Sequence, residues 1–283
     1  IGHNSSNASS AALPLYENAG LPMISPTSTS IDLKGDVFFR TVPSDAAAGK
    51  KLADYIINRL EIKTVAIFYD SNSNYSRSLK IGFEDRFDGG DRYSQSINLN
   101  DPDLDAKISE TLDNNNIWAA ILFPSTKTTN IALKAAKENI RLPASSRLRL
   151  FGGDALYKPE TLTEGRATVE GLILAVPWFA RAGEESTLDY AERAKNRWGG
   201  NVSWRTAMSY DATKALIEAL SKNATRQTVL ENLKKVSLSA NETSGYVLQF
   251  DKDGERSGEV LLVEVAPGAP GPPGTNLGFQ LLE

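Results

Sequence analysis

Asn4-Ser5-Ser6-Asn7-Ala8-Ser9-Ser10 and Ser25-Pro26-Thr27-Ser28-Thr29-Ser30 are the two stretches on which the reading of this 283-residue chain turns. Between them Ala11 to Asn18 reads as a helix closed by Gly20, and Leu21-Pro22-Met23-Ile24 as a buried strand. Both clusters are then expected at the carboxyl ends of neighbouring parallel strands, where an open α/β sheet binds ligands. Small hydroxyls beside helix-start amides suit a carboxylate or phosphate, because the unpaired N–H groups and the helix dipole present positive charge. Helix capping by Ser is the plainer alternative; two clusters in register favour a site.

Outward from there the chain alternates helix-like and strand-like segments, the pattern of a parallel sheet flanked by helices. Helices are expected at Ala46 to Arg59, Tyr75 to Phe87, Leu104 to Leu112 and Lys127 to Asn139. Between them fall strands at Thr64 to Tyr69, Ser94 to Leu99, Trp118 to Phe123 and Arg149 to Phe151, the last running into Gly152-Gly153-Asp154. Leu172 to Pro177 reads as a strand stopped by proline, which cannot donate to a ladder. Three helical stretches follow, at Ser186 to Trp198, Ser203 to Leu220 and Arg226 to Lys235. Tyr246 to Phe250 and Glu259 to Val265 suggest a closing hairpin turned by Asp251-Lys252-Asp253-Gly254. From Pro267 the Pro/Gly-rich tail is expected to be extended or poorly ordered.

Composition narrows the function. Thirty-one basic against 35 acidic residues give a net charge of -4 with no basic block, which argues against a nucleic-acid partner. The longest apolar runs, Ile117 to Phe123 and Leu172 to Val176, fall far short of the ~20 residues of a bilayer span, so no direct membrane insertion is expected. With no cysteine and only His3 as histidine, thiol nucleophiles, thiolate metal sites and a Ser/His/Asp triad lack their parts. No Gly-rich phosphate loop appears, and no cofactor is implied. Asp251-Lys252-Asp253-Gly254 lacks the remaining ligands of a calcium loop. Sequons at Asn4, Asn7, Asn74, Asn201, Asn223 and Asn241 are of a number that chance explains in an Asn- and Ser-rich chain. No secretory signal is visible, and Ile1-Gly2-His3 begins as if inside a strand.

The order of several motifs resembles the type I periplasmic-binding-protein superfamily, specifically leucine/isoleucine/valine-type substrate-binding proteins. The residues that carry it are Ile1-Gly2-His3-Asn4-Ser5-Ser6, Tyr16-Glu17-Asn18-Ala19-Gly20, Met23-Ile24-Ser25-Pro26 and Val37 to Asp45. Val65 to Asp70 with Tyr75, Val169-Glu170-Gly171-Leu172 and Ser209-Tyr210-Asp211-Ala212 add to it. The resemblance implies an α/β fold of two lobes, each a parallel sheet flanked by helices. It places residues 1–44 and 178–245 in the first lobe, 45–177 and 246–266 in the second, and 267–283 in an extended tail. Because members carry two further β-α units ahead of the position of Ile1, it also implies a first lobe incomplete at its N-terminus.

The resemblance further implies a site between lobes that close around a hinge. Ser6, Thr27 and Thr29 would bind the α-carboxylate of an amino acid. Tyr75 would cover the ligand, its alternative being a helix-packing tyrosine. Asp154 would pair the ligand ammonium, its alternative being a helix N-cap. Ser125 stands where relatives carry an aromatic ring, leaving room or polarity beside the ligand side chain, or is an ordinary loop serine. Trp178 and Phe179 line the rim or pack the hinge. The implied function is a non-enzymatic receptor for branched-chain or related amino acids, delivering to the membrane permease of an ABC importer from the periplasm or another extracytoplasmic space. The alternative is a ligand-sensing regulatory domain of the same fold in a signalling protein. An enzyme built on Asp70 and Asp154 has no visible nucleophile.

Overall fold

The computed structural model describes residues 1–180, 185–220 and 224–282; the sequon residue Asn223 lies outside them. The chain begins with α1 (Ser6–Asn18), β1 (Met23–Ser25) and β2 (Phe38–Arg40). There follow α2 (Asp45–Leu60), β3 (Thr64–Tyr69), α3 (Asn74–Phe87), β4 (Tyr93–Asn98), α4 (Leu104–Asp113) and β5 (Ala119–Phe123). Next come α5 (Thr129–Asn139), β6 (Arg149–Gly152), α6 (Pro159–Gly165) and β7 (Ile173–Val176). The remaining elements are α7 (Glu185–Trp198), α8 (Trp204–Ala219), α9 (Arg226–Leu233), β8 (Ser237–Leu238), β9 (Leu248–Gln249), β10 (Leu261–Pro267) and β11 (Leu277–Leu281). The chain divides into two compact units, residues 1–45 with 177–260 and residues 46–176 with 261–283.

The second unit is built on a seven-stranded sheet in the order β11-β10-β7-β6-β5-β3-β4. β4, β3, β5, β6 and β7 run parallel, while β10 is antiparallel to β7 and β11 to β10. A parallel strand covered on both faces reads as a continuous apolar run. Val65, Ala66, Ile67 and Phe68 of β3 accordingly lose all exposure, as do Ile121, Leu122 and Phe123 of β5. Burying each large side chain is worth about 1.5–3 kcal/mol. α3 starts where Ser73 accepts the N–H of Ser76, and the Ser76 hydroxyl donates to Phe123 O (2.5 Å) while accepting from Asp70 N (2.7 Å). That knot pins the helix start to the carboxyl ends of β3 and β5.

In the first unit β1 and β2 pair in parallel, Met23 beside Phe38 and Ser25 beside Arg40. Ile24 and Phe39 pack on α8 and α9, within a cluster that includes Ala212, Ala215, Leu233, Leu248 and Phe250. Gly2 donates to Ile24 O at 2.9 Å, so the first residues lie alongside β1.

Three expectations are corrected. α1 begins at Ser6 rather than Ala11, with Ser5 as its N-cap accepting from Ala8 N, so Ser6 to Ser10 are helical and not a strand-end loop. Tyr246 to Phe250 and Glu259 to Val265 do not form one hairpin: β9 pairs with β8, and β10 with β7 and β11. The turn residues do reverse the chain, but the closure is local, Phe250 bridging to Arg256. Consequently 246–260, expected in the second lobe, packs in the first unit, where Gly254 O accepts from Arg40 N (3.0 Å). Gly254 has φ +75° and a Cβ there would stand 2.1 Å from Phe38 O, so this approach to β2 needs glycine. Finally, the tail is ordered. The Pro/Gly run turns back, Gly268 donating to Asn276 O (2.8 Å), and Leu277–Leu281 becomes an edge strand with Phe279 edge-on to Tyr157 at 4.7 Å.

Candidate functional site

In the first unit the loop after β1 is held by side-chain hydroxyls. Ser25 Oγ, Thr27 Oγ1 and Ser28 Oγ all donate to His3 O, at 3.2, 3.4 and 3.1 Å. A carbonyl has two lone pairs, so one of these three is surplus; the half-buried Thr27 makes the longest and weakest contact. Ser6, at the start of α1, accepts from the backbone N–H groups of Thr29 and Ser30, both at 3.2 Å. Its oxygen is thus committed, while its proton has no acceptor among the described residues. Thr29 is 4 % exposed, and its Oγ1 has no hydrogen-bond partner among the described residues. Buried hydroxyls are normally satisfied, so an orphan of this kind calls for an explanation. Ser6 and Thr29 are therefore brought together with donors to spare at a helix N-terminus, whereas Thr27 is turned to His3.

Arg40 supports this loop and was not singled out as a site residue. Its Nη1 donates to Ser30 O (2.8 Å) and Ser28 O (3.5 Å), and its Nε donates to Glu255 Oε2 (2.7 Å), with Glu255 Oε1 on Nη2 completing a bidentate pair. The signal was present: an arginine ending the apolar strand Val37-Phe38-Phe39 is a buried charge that must find partners. Two further buried donors of this unit, Tyr190 OH and Trp204 Nε1, also lack a hydrogen-bond partner among the described residues. Trp178, expected at the rim or hinge, is buried, with its indole N–H on Ser244 O (2.9 Å) and its ring edge-on to Tyr190.

In the second unit the structure joins Tyr75 and Asp154. The Tyr75 hydroxyl donates to Asp154 Oδ1 at 2.7 Å and accepts from Ala155 N at 3.3 Å. Asp154 is the first residue of a short 3-10 turn after β6, and Gly153 occupies the cap position. Ser125, in the loop after β5, belongs to the same unit. It is buried beside Asp70, with its hydroxyl at 3.2 Å from Thr128 Oγ1 and accepting from Lys127 N. Asp70 receives Asn100 Nδ2 (2.7 Å), Asn72 N (3.0 Å) and Thr128 Oγ1 (3.2 Å). Burial pushes its carboxyl up, but the hydrogen bonds from Ser125, Asn100, Asn72 and Thr128 outweigh that and hold it below the ordinary aspartate value. Among the described residues no group of His, Cys, Asp and Glu could hold a metal ion, and no helix is long and apolar enough to cross a membrane.

The pattern of the periplasmic binding protein family matches residues 1–270. The leucine-, isoleucine-, valine-, threonine- and alanine-binding protein of Pseudomonas aeruginosa is 24% identical over 264 residues, 90% of this chain and 68% of that protein. Among solved structures, the leucine-binding protein LivK of Thermotoga maritima superposes with a TM-score of 0.83 at 21% identity, covering 100% of this chain and 78% of that one. An ABC transporter substrate-binding protein of Desulfitobacterium hafniense in complex with Leu gives a TM-score of 0.75 at 24% identity, covering 100% and 79%. The fold is thus the two-lobed α/β fold of these proteins, and with its sequence pattern spanning 270 residues this chain belongs to the periplasmic binding protein family.

Proposed function

We propose that this chain is the substrate-binding receptor of an ABC importer for small amino acids, branched-chain or related, and that it acts by binding alone. The observation that carries the reading is the pair of buried hydroxyls beside the start of α1, Ser6 and Thr29, whose protons have no acceptor among the described residues. Two spare donors and a helix dipole suit a carboxylate. Thr27, weakly tied to His3, joins them at small cost. In this reading Asp154 pairs the ligand ammonium, Tyr75 stands beside it, and Ser125 acts by leaving space where a larger side chain would fill it. The two units close on the ligand, and the closed form docks on a membrane permease from an extracytoplasmic space. The leucine-family names of the relatives support the ligand class.

The test is a melting screen against the twenty amino acids, followed by calorimetry. A ligand at 100 times its Kd stabilises by about 2.7 kcal/mol. Ser6→Ala and Thr29→Val are expected to weaken binding while Thr27→Val does so less. Absence of any shift with every amino acid would sink the reading, and an unchanged radius of gyration on saturation would remove lobe closure from it.

A further inference from the structure

Tyr75 sits at the second residue of α3, and the helix start beneath it is fixed to β3 and β5 through Ser76. From there its phenol reaches the turn after β6, 79 residues along the chain, to meet Asp154 Oδ1 and Ala155 N. The seat is made by an absent side chain. A Cβ on Gly153 would stand 2.6 Å from the Tyr75 hydroxyl oxygen and 2.5 Å from Leu79 Cδ2. The ring therefore rests on bare backbone, and its oxygen bridges a carboxylate and the amide of the next residue.

We infer that Tyr75 is a positioning residue: its hydroxyl, seated on Gly153, sets the rotation of the Asp154 carboxylate that receives the ligand ammonium. This rests on the proposed pairing of Asp154 with an amino-acid ligand. A phenol suits the task because it is a neutral donor. It fixes one oxygen without cancelling the charge, whereas a lysine or arginine in its place would compete with an ammonium for the same carboxylate. The distinction from a ring that merely covers the ligand is chemical: covering needs the ring, and positioning needs the hydroxyl.

The experiment is a double-mutant cycle read by calorimetry, with L-leucine as probe, or whichever amino acid gave the largest melting shift. Tyr75→Phe keeps the ring and is expected to raise Kd about tenfold, the loss of one well-placed hydrogen bond. In an Asp154→Asn background the same change is expected to alter Kd by less than about twofold, because the charge whose orientation it sets is gone. Gly153→Ala, which retains both side chains chemically but displaces the phenol, is expected to reproduce the Tyr75→Phe effect, with melting curves confirming folded protein. An unchanged Kd in Tyr75→Phe, or a loss that adds fully to that of Asp154→Asn, overturns the inference while leaving the receptor reading standing. Wild-type protein that binds none of the twenty amino acids overturns the receptor reading itself, and the inference with it.

Discussion

Asp211 in the first unit and Asp70 in the second are both buried aspartates, and the two are satisfied in opposite ways. In the first unit Asp211 of α8 has no exposure and takes Arg256 Nη1 at 2.6 Å together with the N–H (2.7 Å) and hydroxyl (2.8 Å) of Ser244. Arg256 goes on to donate to Thr41 O and Tyr246 O, both at 3.1 Å. The pair thus ties segments drawn from both ends of the chain. Asp70, in the second unit, has no cation within ion-pair reach among the described residues; it gathers neutral donors from the loops after β3, β4 and β5. The electrostatic outcome inverts what the partners suggest. Burial pushes the Asp211 carboxyl up despite Arg256 and Ser244, whereas at Asp70 the neutral donors prevail and hold it down. At Asp211 burial outweighs the guanidinium and the Ser244 donors, whereas at Asp70 the summed hydrogen bonds outweigh burial.

The comparison breaks most visibly at Arg256. Arg256→Ala leaves a buried carboxylate without its cation and is expected to cost about 3–5 kcal/mol, read as a large fall in melting temperature. Replacing both partners by apolar residues, Asp211→Leu with Arg256→Met, should recover most of that loss; failure to recover it would mean the pair is not a simple desolvated couple. Asp70→Ala strands several donors and is expected to cost about 2–3 kcal/mol. Its pH signature sharpens the contrast. Because the folded-state value lies below the ordinary one of 3.8, Asp70 stabilises the fold at pH above that value, and the contribution is lost as pH falls from it through the folded value. Asp70→Asn should therefore flatten the acid limb of the stability curve, and an unchanged limb would refute the assignment. Next in size, Ser6→Ala frees the amides of Thr29 and Ser30 and is expected to cost about 1–2 kcal/mol in melting experiments without ligand. Smallest is Ser125→Ala, which removes one of several donors around Asp70, at about 0.5–1.5 kcal/mol by the same measurement.

Most of the second unit was legible in the sequence, for a physical reason. Val65 to Phe68 and Ile121 to Phe123 are unbroken apolar runs of strand length, and the helix expected at Tyr75 to Phe87 falls one residue short of α3. What failed were assignments that depend on distant partners. Leu277-Gly278-Phe279-Gln280-Leu281 does alternate apolar residues with Gly and Gln, but it is short and follows a Pro/Gly run, and its pairing with β10 depends on a partner that only the folded chain brings near. The turn at Asp251 to Gly254 was read as a reversal, but its second arm was given to the nearest strand in sequence rather than to β7 and β11. The early start of α1 was hidden because its first inward-facing residues are Ser6 and Ser9, which carry no hydrophobic signal. Among the site residues, Thr29 and Asp154 were named through the resemblance, and the structure shows the surroundings of each: an unpartnered buried hydroxyl among the described residues, and a carboxylate that accepts from Tyr75. The bonds that occupy Ser6, Thr27 and Ser125 could not be named from the sequence, because each runs to a group that only the folded chain brings near. Arg40 shows the reverse case, a charge in an apolar strand whose oddity was itself the clue.

The Arg40 grip makes an outlying turn answerable for the Ser/Thr loop. Glu255 lies 215 residues beyond Arg40, and its carboxylate orients the guanidinium that holds the carbonyls of Ser28 and Ser30. Those carbonyls share peptide planes with the amides around Thr29, so tilting one end of a plane tilts the other. A neutralising change at Glu255 should then loosen the cradle without touching any group inside it, and a search for altered solute preference would do well to randomise that peripheral corner alongside the cradle itself.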